Sequence, residues 1–208
     1  MLSDAHEETL RLAQLVEELL LLARADASVD APLALSTPDA PLALSTPDAA
    51  QEKQAQPVEL DHTVLQLMRQ FRGRLNTEEA RPTFEVGHIE PVRVKGDEES
   101  IRRVLLILLD NALKYTVENG EAGRVIVSLE RTGKEALLRV RDTGIGIDLD
   151  DLPHIFERFY RADRARSRQG TGLGLSIAQT VVEQLNGRIS AESVPGQGST
   201  FSVWLPLA

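Results

Sequence analysis

Two groups of residues in this chain are of a type and spacing that could do chemistry. The first is a carboxylate at the end of an apolar strand, in Val140-Arg141-Asp142-Thr143-Gly144-Ile145-Gly146-Ile147. Ala136, Leu137, Leu138 and Val140 give the preceding residues the apolar, β-compatible character of a strand. Asp142 stands at its mouth, and Gly144 and Gly146 follow with no Cβ, so the backbone is free to take positive φ and a flat ligand can lie against it. A buried carboxylate only accepts hydrogen bonds. It selects a planar base whose edge carries an amino group, as adenine does, and disfavours a carbonyl at the same place. A strand followed by a glycine turn, with Asp as a turn former, is the plain alternative for this stretch taken alone.

The second group lies inside an apolar helix, at Asp110-Asn111-Ala112-Leu113-Lys114-Tyr115-Thr116. Asn111 can offer an amide oxygen to a hard cation or its amide hydrogens to a phosphate, and Lys114 and Tyr115 follow within one turn. Two further stretches suit anions. Arg158, Arg161, Arg164, Arg166 and Arg168 bring five guanidiniums close together, and Gln169-Gly170-Thr171-Gly172-Leu173-Gly174-Leu175 opens a helix predicted over 176–185. Glycines at a helix start leave free N–H groups and the positive end of the helix dipole for phosphate.

Elements must hold these residues in place. Pro57-Val58-Glu59-Leu60 reads as a short strand, followed by a helix from Asp61, its N-cap, to Asn76, with Val64, Leu65, Met68 and Phe71 on its buried face. Residues 83–86 and 92–95 read as short strands. Asp97 or Ser100 then caps a helix whose core side is Ile101, Val104, Leu105, Leu108 and Leu109. Strands over 124–130 and 135–142 form a hairpin around Thr132-Gly133-Lys134 and deliver Asp142. Residues 188–193 and 199–205 are the closing strands, joined by the turn Pro195-Gly196-Gln197-Gly198.

Composition narrows the class of protein. A net charge of -9 and a pI near 5.0 argue against a nucleic-acid binder held by phosphate contacts. The absence of cysteine excludes disulfides and thiolate metal sites, and no apolar run approaches the ~20 residues of a membrane span. Near the N-terminus Leu12, Leu15, Leu19 and Leu22, widened by Val16 and Leu20, line one face of a helix that needs a partner helix to bury it. Residues 31–39 read APLALSTPD and residues 40–48 repeat them. With Pro32, Pro38, Pro41 and Pro47 blocking regular structure, this is a duplicated linker.

Taken together and in order, these blocks resemble the catalytic and ATP-binding domain of sensor histidine kinases, in the superfamily shared with gyrase B, the heat-shock chaperone and mismatch-repair ATPases. DNALKYT is similar to the N box, DTGIGI to the first glycine box, HIFERFYR to the F box, QGTGLGL to the second glycine box and PGQGSTF to the tail glycine motif. The resemblance implies an α/β fold: a two-layer sandwich whose mixed sheet is covered on one face by three helices, with a mobile ATP lid. It implies ATP and Mg as cofactors. By this resemblance Asp142 accepts from the adenine amino group, Gly144, Gly146 and Ile147 shape the base pocket, and Tyr115 lines the ribose or adenine side. Asn111 and Gln169 hold Mg²⁺, while Lys114, Arg158 and Arg161 stand near the phosphates. Gly170, Thr171, Gly172, Leu173 and Gly174 form the second glycine box, which closes over the nucleotide.

The implied organisation is a partial dimerisation and phosphotransfer helix at 1–27, a linker at 28–56 and the catalytic domain at 57–208. The implied function is transfer of the ATP γ-phosphoryl group to a histidine and on to an aspartate of a response-regulator receiver domain. Homodimerisation through the N-terminal helix, a cytoplasmic location, no nucleic-acid partner and a membrane link only through a region preceding Met1 follow from the same resemblance. Two departures stand out. The acceptor histidine with its following acid and Thr-Pro is not found, since His6-Glu7 lacks the Thr-Pro, so the chain is expected not to phosphorylate itself. Ile107 stands one turn before Asn111, where kinases usually place a second Asn and the ATP-hydrolysing relatives a Glu that activates water. Ile argues against a hydrolase. A non-catalytic nucleotide-binding switch, or a hydrolase or serine kinase of the same superfamily, are the competing readings.

Overall fold

The computed structural model describes residues 57–74, 82–117, 123–162 and 171–208. The N-terminal helix and the duplicated linker lie outside the described residues, as does the central part of the expected lid. Pro57–Ala208 is one compact unit.

Strands β4 (Arg124–Thr132) and β5 (Glu135–Asp142) form the central hairpin, with Thr132 paired to Glu135 across a Gly133-Lys134 loop. Gly133 takes φ +62°, the left-handed conformation that a tight two-residue hairpin loop demands. The five-stranded sheet runs β2-β4-β5-β7-β6, where β2 is Thr83–Ile89, β6 Arg188–Val194 and β7 Gly198–Pro206. β2 is parallel to β4 and the other pairs are antiparallel, so the sheet is mixed. Two short strands, β1 (Val58–Glu59) and β3 (Arg93–Val94), pair beside it. Three helices make the second layer: α1 (Leu60–Arg74), α2 (Glu98–Val117) and α3 (Gly174–Gln184). This is the α/β sandwich expected.

The two-residue period of the strands sets what faces the helices. Val125, Val127 and Leu129 of β4 and Ala136, Leu138 and Val140 of β5 are buried, and Asp142 continues the β5 row. α2 supplies Ile101, Val104, Leu105, Leu108 and Leu109, all buried as expected, and packs against α1, α3 and β5. Each fully buried leucine in this layer stabilises the fold by roughly 1.5–3 kcal/mol relative to leaving it in water.

Some expectations are corrected. α1 begins at Leu60, which puts Asp61 in the first turn rather than at the cap, where its charge still favours the helix dipole. Leu65 is only half-buried. Leu60 and Leu67 take the core positions with Val64, Met68 and Phe71. Asp97, not Ser100, caps α2: its Oδ2 accepts from the Ser100 N–H and hydroxyl, both at 2.9 Å. The last helix starts at Gly174, two residues before Ser176. Within the irregular stretch after β5, Leu152–His154 forms a short 3-10 helix.

Candidate nucleotide site

Asp142 is the centre of the site. It is 3% exposed, and its Oδ1 accepts from Gly144 N–H at 2.8 Å and from Ser199 N–H at 3.3 Å. Oδ2 makes no hydrogen bond among the described residues, so one carboxylate oxygen is fixed by the protein and the other is available to a donor. Burial raises the Asp142 pKa above the ordinary carboxylate value, and the two backbone hydrogen bonds oppose that rise.

Three segments converge on this carboxylate, and glycines let them do so. A Cβ at Gly144 would stand 2.4 Å from the Tyr115 carbonyl oxygen, and Ile145 N–H donates to that carbonyl at 3.3 Å. The last turn of α2 is thus tied to the loop after β5. Gly146, at φ +68°, has the Val194 carbonyl where a Cβ would be, at 2.2 Å, and Gly196 N–H donates to the Ile145 carbonyl at 2.7 Å. Both glycines therefore turn their Cβ directions toward protein backbone. That differs from a floor open on that side to a ligand. Ile147 N–H donates to the Ser193 hydroxyl at 2.8 Å, which fixes the end of the loop.

The residues of α2 stand on one side. Asn111 is half-buried, and its amide makes no hydrogen bond among the described residues. Lys114 Nζ lies 5.0 Å from the Tyr115 ring centroid, a cation–π contact that holds both half-buried side chains at the end of the helix. Thr116, one residue on, is fully buried, and its hydroxyl finds no partner among the described residues. Ile107 is half-buried, and its Cγ2 lies 3.4 Å from where a Gly174 Cβ would be. It therefore faces the start of α3, on the Asn111 side of α2 as the one-turn spacing required.

The described segments on either side of the expected lid meet directly. Phe159, at φ +64° and 60% exposed, donates its N–H to the Gly172 carbonyl at 3.0 Å, and a Cβ at Gly172 would press on the Phe159 backbone at 2.8 Å. Tyr160 donates its hydroxyl to Asp151 at 2.6 Å, and the His154 ring packs on Tyr160 with centroids 5.5 Å apart. Arg158 is exposed, Arg161 half-buried, and each has partners of its own. At the start of α3, Leu173 is buried at the N-cap position with no side-chain cap, and Thr171 Oγ1 accepts from Leu173 N–H at 3.2 Å. The first-turn N–H groups of Gly174, Leu175 and Ser176 have no helical acceptor. Gln169 and Gly170, with Arg164, Arg166 and Arg168, lie outside the described residues.

Sequence reasoning missed the roles of Ser193, Gly198 and Ser199. A Cβ at Gly198, where φ is +101°, would stand 2.0 Å from the Asp142 carbonyl oxygen, so the start of β7 lies directly against the end of β5. The signal available was the tail motif itself, which places glycines and serines together at a strand start.

Residues 96–208 match the family described as histidine kinase-, DNA gyrase B-, and HSP90-like ATPase, and the chain belongs to that family. It is 40% identical over 159 residues to the sensor histidine kinase YkoH of Bacillus subtilis, a match covering 74% of this chain and 34% of that protein. Among solved structures it is similar to the mycobacterial sensor histidine kinase MprB, at 30% identity and TM-score 0.62, over 74% of this chain and 97% of that one. Full-length ShkA, solved in complex with AMPPNP, matches at 26% identity and TM-score 0.69, over 95% of this chain and 36% of that one. The chain spans about a quarter to a third of the length of the curated relatives it matches.

Proposed function

We propose that this chain is the ATP-binding catalytic part of a two-component sensor histidine kinase. The observation that carries the reading is Asp142: one buried carboxylate, gathered by the end of α2, the loop after β5 and the start of β7, with one oxygen held by backbone N–H groups and the other left for a ligand donor. That arrangement suits the exocyclic amino group of adenine. Guanine would set a carbonyl against the same oxygen. Gly144, Gly146 and Ile147 give the base pocket its backbone, and Tyr115 lines it.

From the base, the triphosphate runs toward Asn111 and the start of α3. Lys114, Arg158 and Arg161 supply positive charge, and the N–H groups of the second glycine box, from Gly170 to Gly174, supply neutral donors. The donor set fits a magnesium ion that arrives with the nucleotide: no cluster of three or more His, Cys, Asp and Glu exists among the described residues, and Asn111 offers one hard oxygen of the kind Mg²⁺ takes alongside phosphate oxygens. Asn111 and Gln169 would hold it. When bound, it supplies charge neutralisation for the phosphates. The chain's own residues orient the nucleotide and exclude water from the γ-phosphoryl group, which passes to a histidine imidazole and then to a receiver-domain aspartate. The imidazole forms the new N–P bond as the bond to the β-phosphate oxygen breaks, and ADP leaves.

The accompanying partners are ATP, the response-regulator receiver domain and a second copy of the chain through the N-terminal helix, in a cytoplasmic setting without nucleic acid. Transfer of labelled γ-phosphate tests the reading. The chain, incubated with γ-labelled ATP and a dimerisation hairpin bearing an acceptor histidine, is expected to give an acid-labile phosphoprotein. Accumulation of free phosphate alone would mark a hydrolase, acid-stable label a serine kinase, and neither a non-catalytic switch.

A further inference from the structure

Ser193, near the end of β6, is half-buried and lies outside every motif assigned a role above, yet its hydroxyl joins three segments. The oxygen accepts from Ile147 N–H at 2.8 Å, the hydroxyl donates to the Gly198 carbonyl at 3.0 Å, and the Ser199 hydroxyl lies 3.0 Å away. A carbonyl only accepts, so the Ser193 hydrogen belongs to Gly198 and Ser199 is the donor in the serine pair. Those three bonds use the full capacity of one hydroxyl. Each partner leads to Asp142. Ile147 ends the loop whose Gly144 N–H holds Asp142 Oδ1, Gly198 lies so near the Asp142 carbonyl that a Cβ would not fit between them, and Ser199 N–H is the second donor to Oδ1.

We infer that Ser193 is a positioning residue for base recognition, its hydroxyl fixing the loop after β5 and the start of β7 in the one relative placement that aims Asp142 at the ligand. The inference rests on the adenine reading of Asp142. Without the hydroxyl, Ile147 N–H, the Gly198 carbonyl and the Ser199 hydroxyl all lose a partner at once. Asp142 keeps its donors but loses the brace that sets their spacing. A group that only supported the fold would weaken every nucleotide alike, whereas a group that aims Asp142 governs the preference between adenine and guanine.

The test measures affinities of the chain for hydrolysis-resistant analogues of ATP and GTP, with thermal unfolding of the apo form, in wild type, Ser193→Ala, Ser193→Cys, Ser193→Thr and Asp142→Asn. Ser193→Cys keeps the volume and gives up most of the hydrogen bonding, so it carries the expectation should Ser193→Ala fail to fold. The expected result is an ATP-to-GTP preference reduced about 3- to 10-fold in Ser193→Ala and Ser193→Cys, and retained in Ser193→Thr, which keeps the hydroxyl. Asp142→Asn is expected to remove the preference. If Asp142→Asn removes it while Ser193→Ala leaves it unchanged, or weakens both nucleotides by one factor, the inference about Ser193 is overturned alone. If Asp142→Asn leaves the wild-type preference intact, the adenine reading falls and takes the inference with it.

Discussion

Asp142 has a cost that separates binding from stability. Burial raises its pKa, so the folded chain holds the carboxyl proton more tightly than the unfolded chain does. Ionisation therefore subtracts stability: the cost is absent below the ordinary carboxylate value and sets in as pH rises from there through the raised folded value. Asn at this position keeps an oxygen for Gly144 and Ser199 and carries no charge. Asp142→Asn is expected to raise the melting temperature of the apo form at neutral pH while weakening ATP binding about 10- to 100-fold; a lower melting temperature would contradict the burial argument. Thr116 gives a second case. Its buried hydroxyl has no partner among the described residues, so Thr116→Val, which keeps the shape, is expected to leave stability unchanged or raise it by up to about 1 kcal/mol in urea unfolding. A clear loss would reveal a partner for that hydroxyl, such as an ordered water.

Ile107 is the residue at which this chain departs from the pattern its other motifs follow. Because it is half-buried and faces Gly174 rather than the core, exchanging it for Asn removes little packing and puts an amide beside Asn111. Ile107→Asn is expected to tighten Mg-dependent nucleotide binding about tenfold, with a loss of less than ~1 kcal/mol in stability. Affinities measured with and without Mg²⁺ decide it: a destabilised variant with no Mg-dependent gain would mean that Ile107 is a packing residue.

At the scale of elements, the loop after β5 is held by backbone contacts that tolerate no side chain. Gly146 and Gly196 have similar φ, +68° and +78°, but only Gly146 has backbone in the Cβ direction. Gly196→Ala is expected to cost about 1 kcal/mol from conformation alone, and Gly146→Ala about 2–4 kcal/mol, because the Val194 carbonyl must also move. Equal urea midpoints would refute this account of the loop. Elements were legible where period and capping agreed: the buried stripe of α2 and the alternation of β4 and β5 are both written in the sequence. Boundaries were less so. Asp61 reads as an N-cap from its type alone, yet Leu60 is drawn into the helix because its side chain is needed in the core. The glycines after Asp142 were legible as places of close approach. What approaches them was not, since the Tyr115 and Val194 carbonyls come from α2 and β6, distant segments that only the folded arrangement of helix and sheet brings together.

For the whole molecule, the site exists because the antiparallel pairing of β5 and β7 sets the end of β5 beside the start of β7, with the last turn of α2 tied to the loop that follows β5. Ser199 lies in the tail motif and was legible as part of it, whereas Ser193 became a functional candidate only through that long-range placement. The central claim is that this assembly reads adenine through Asp142. Calorimetric titration of the chain with hydrolysis-resistant ATP and GTP analogues in the presence of Mg²⁺ tests it most directly. An unpaired buried carboxylate against a desolvated carbonyl costs on the order of 2–4 kcal/mol, so the ATP analogue is expected to bind roughly 30- to 1000-fold more tightly. Equal affinity for the two nucleotides would contradict it.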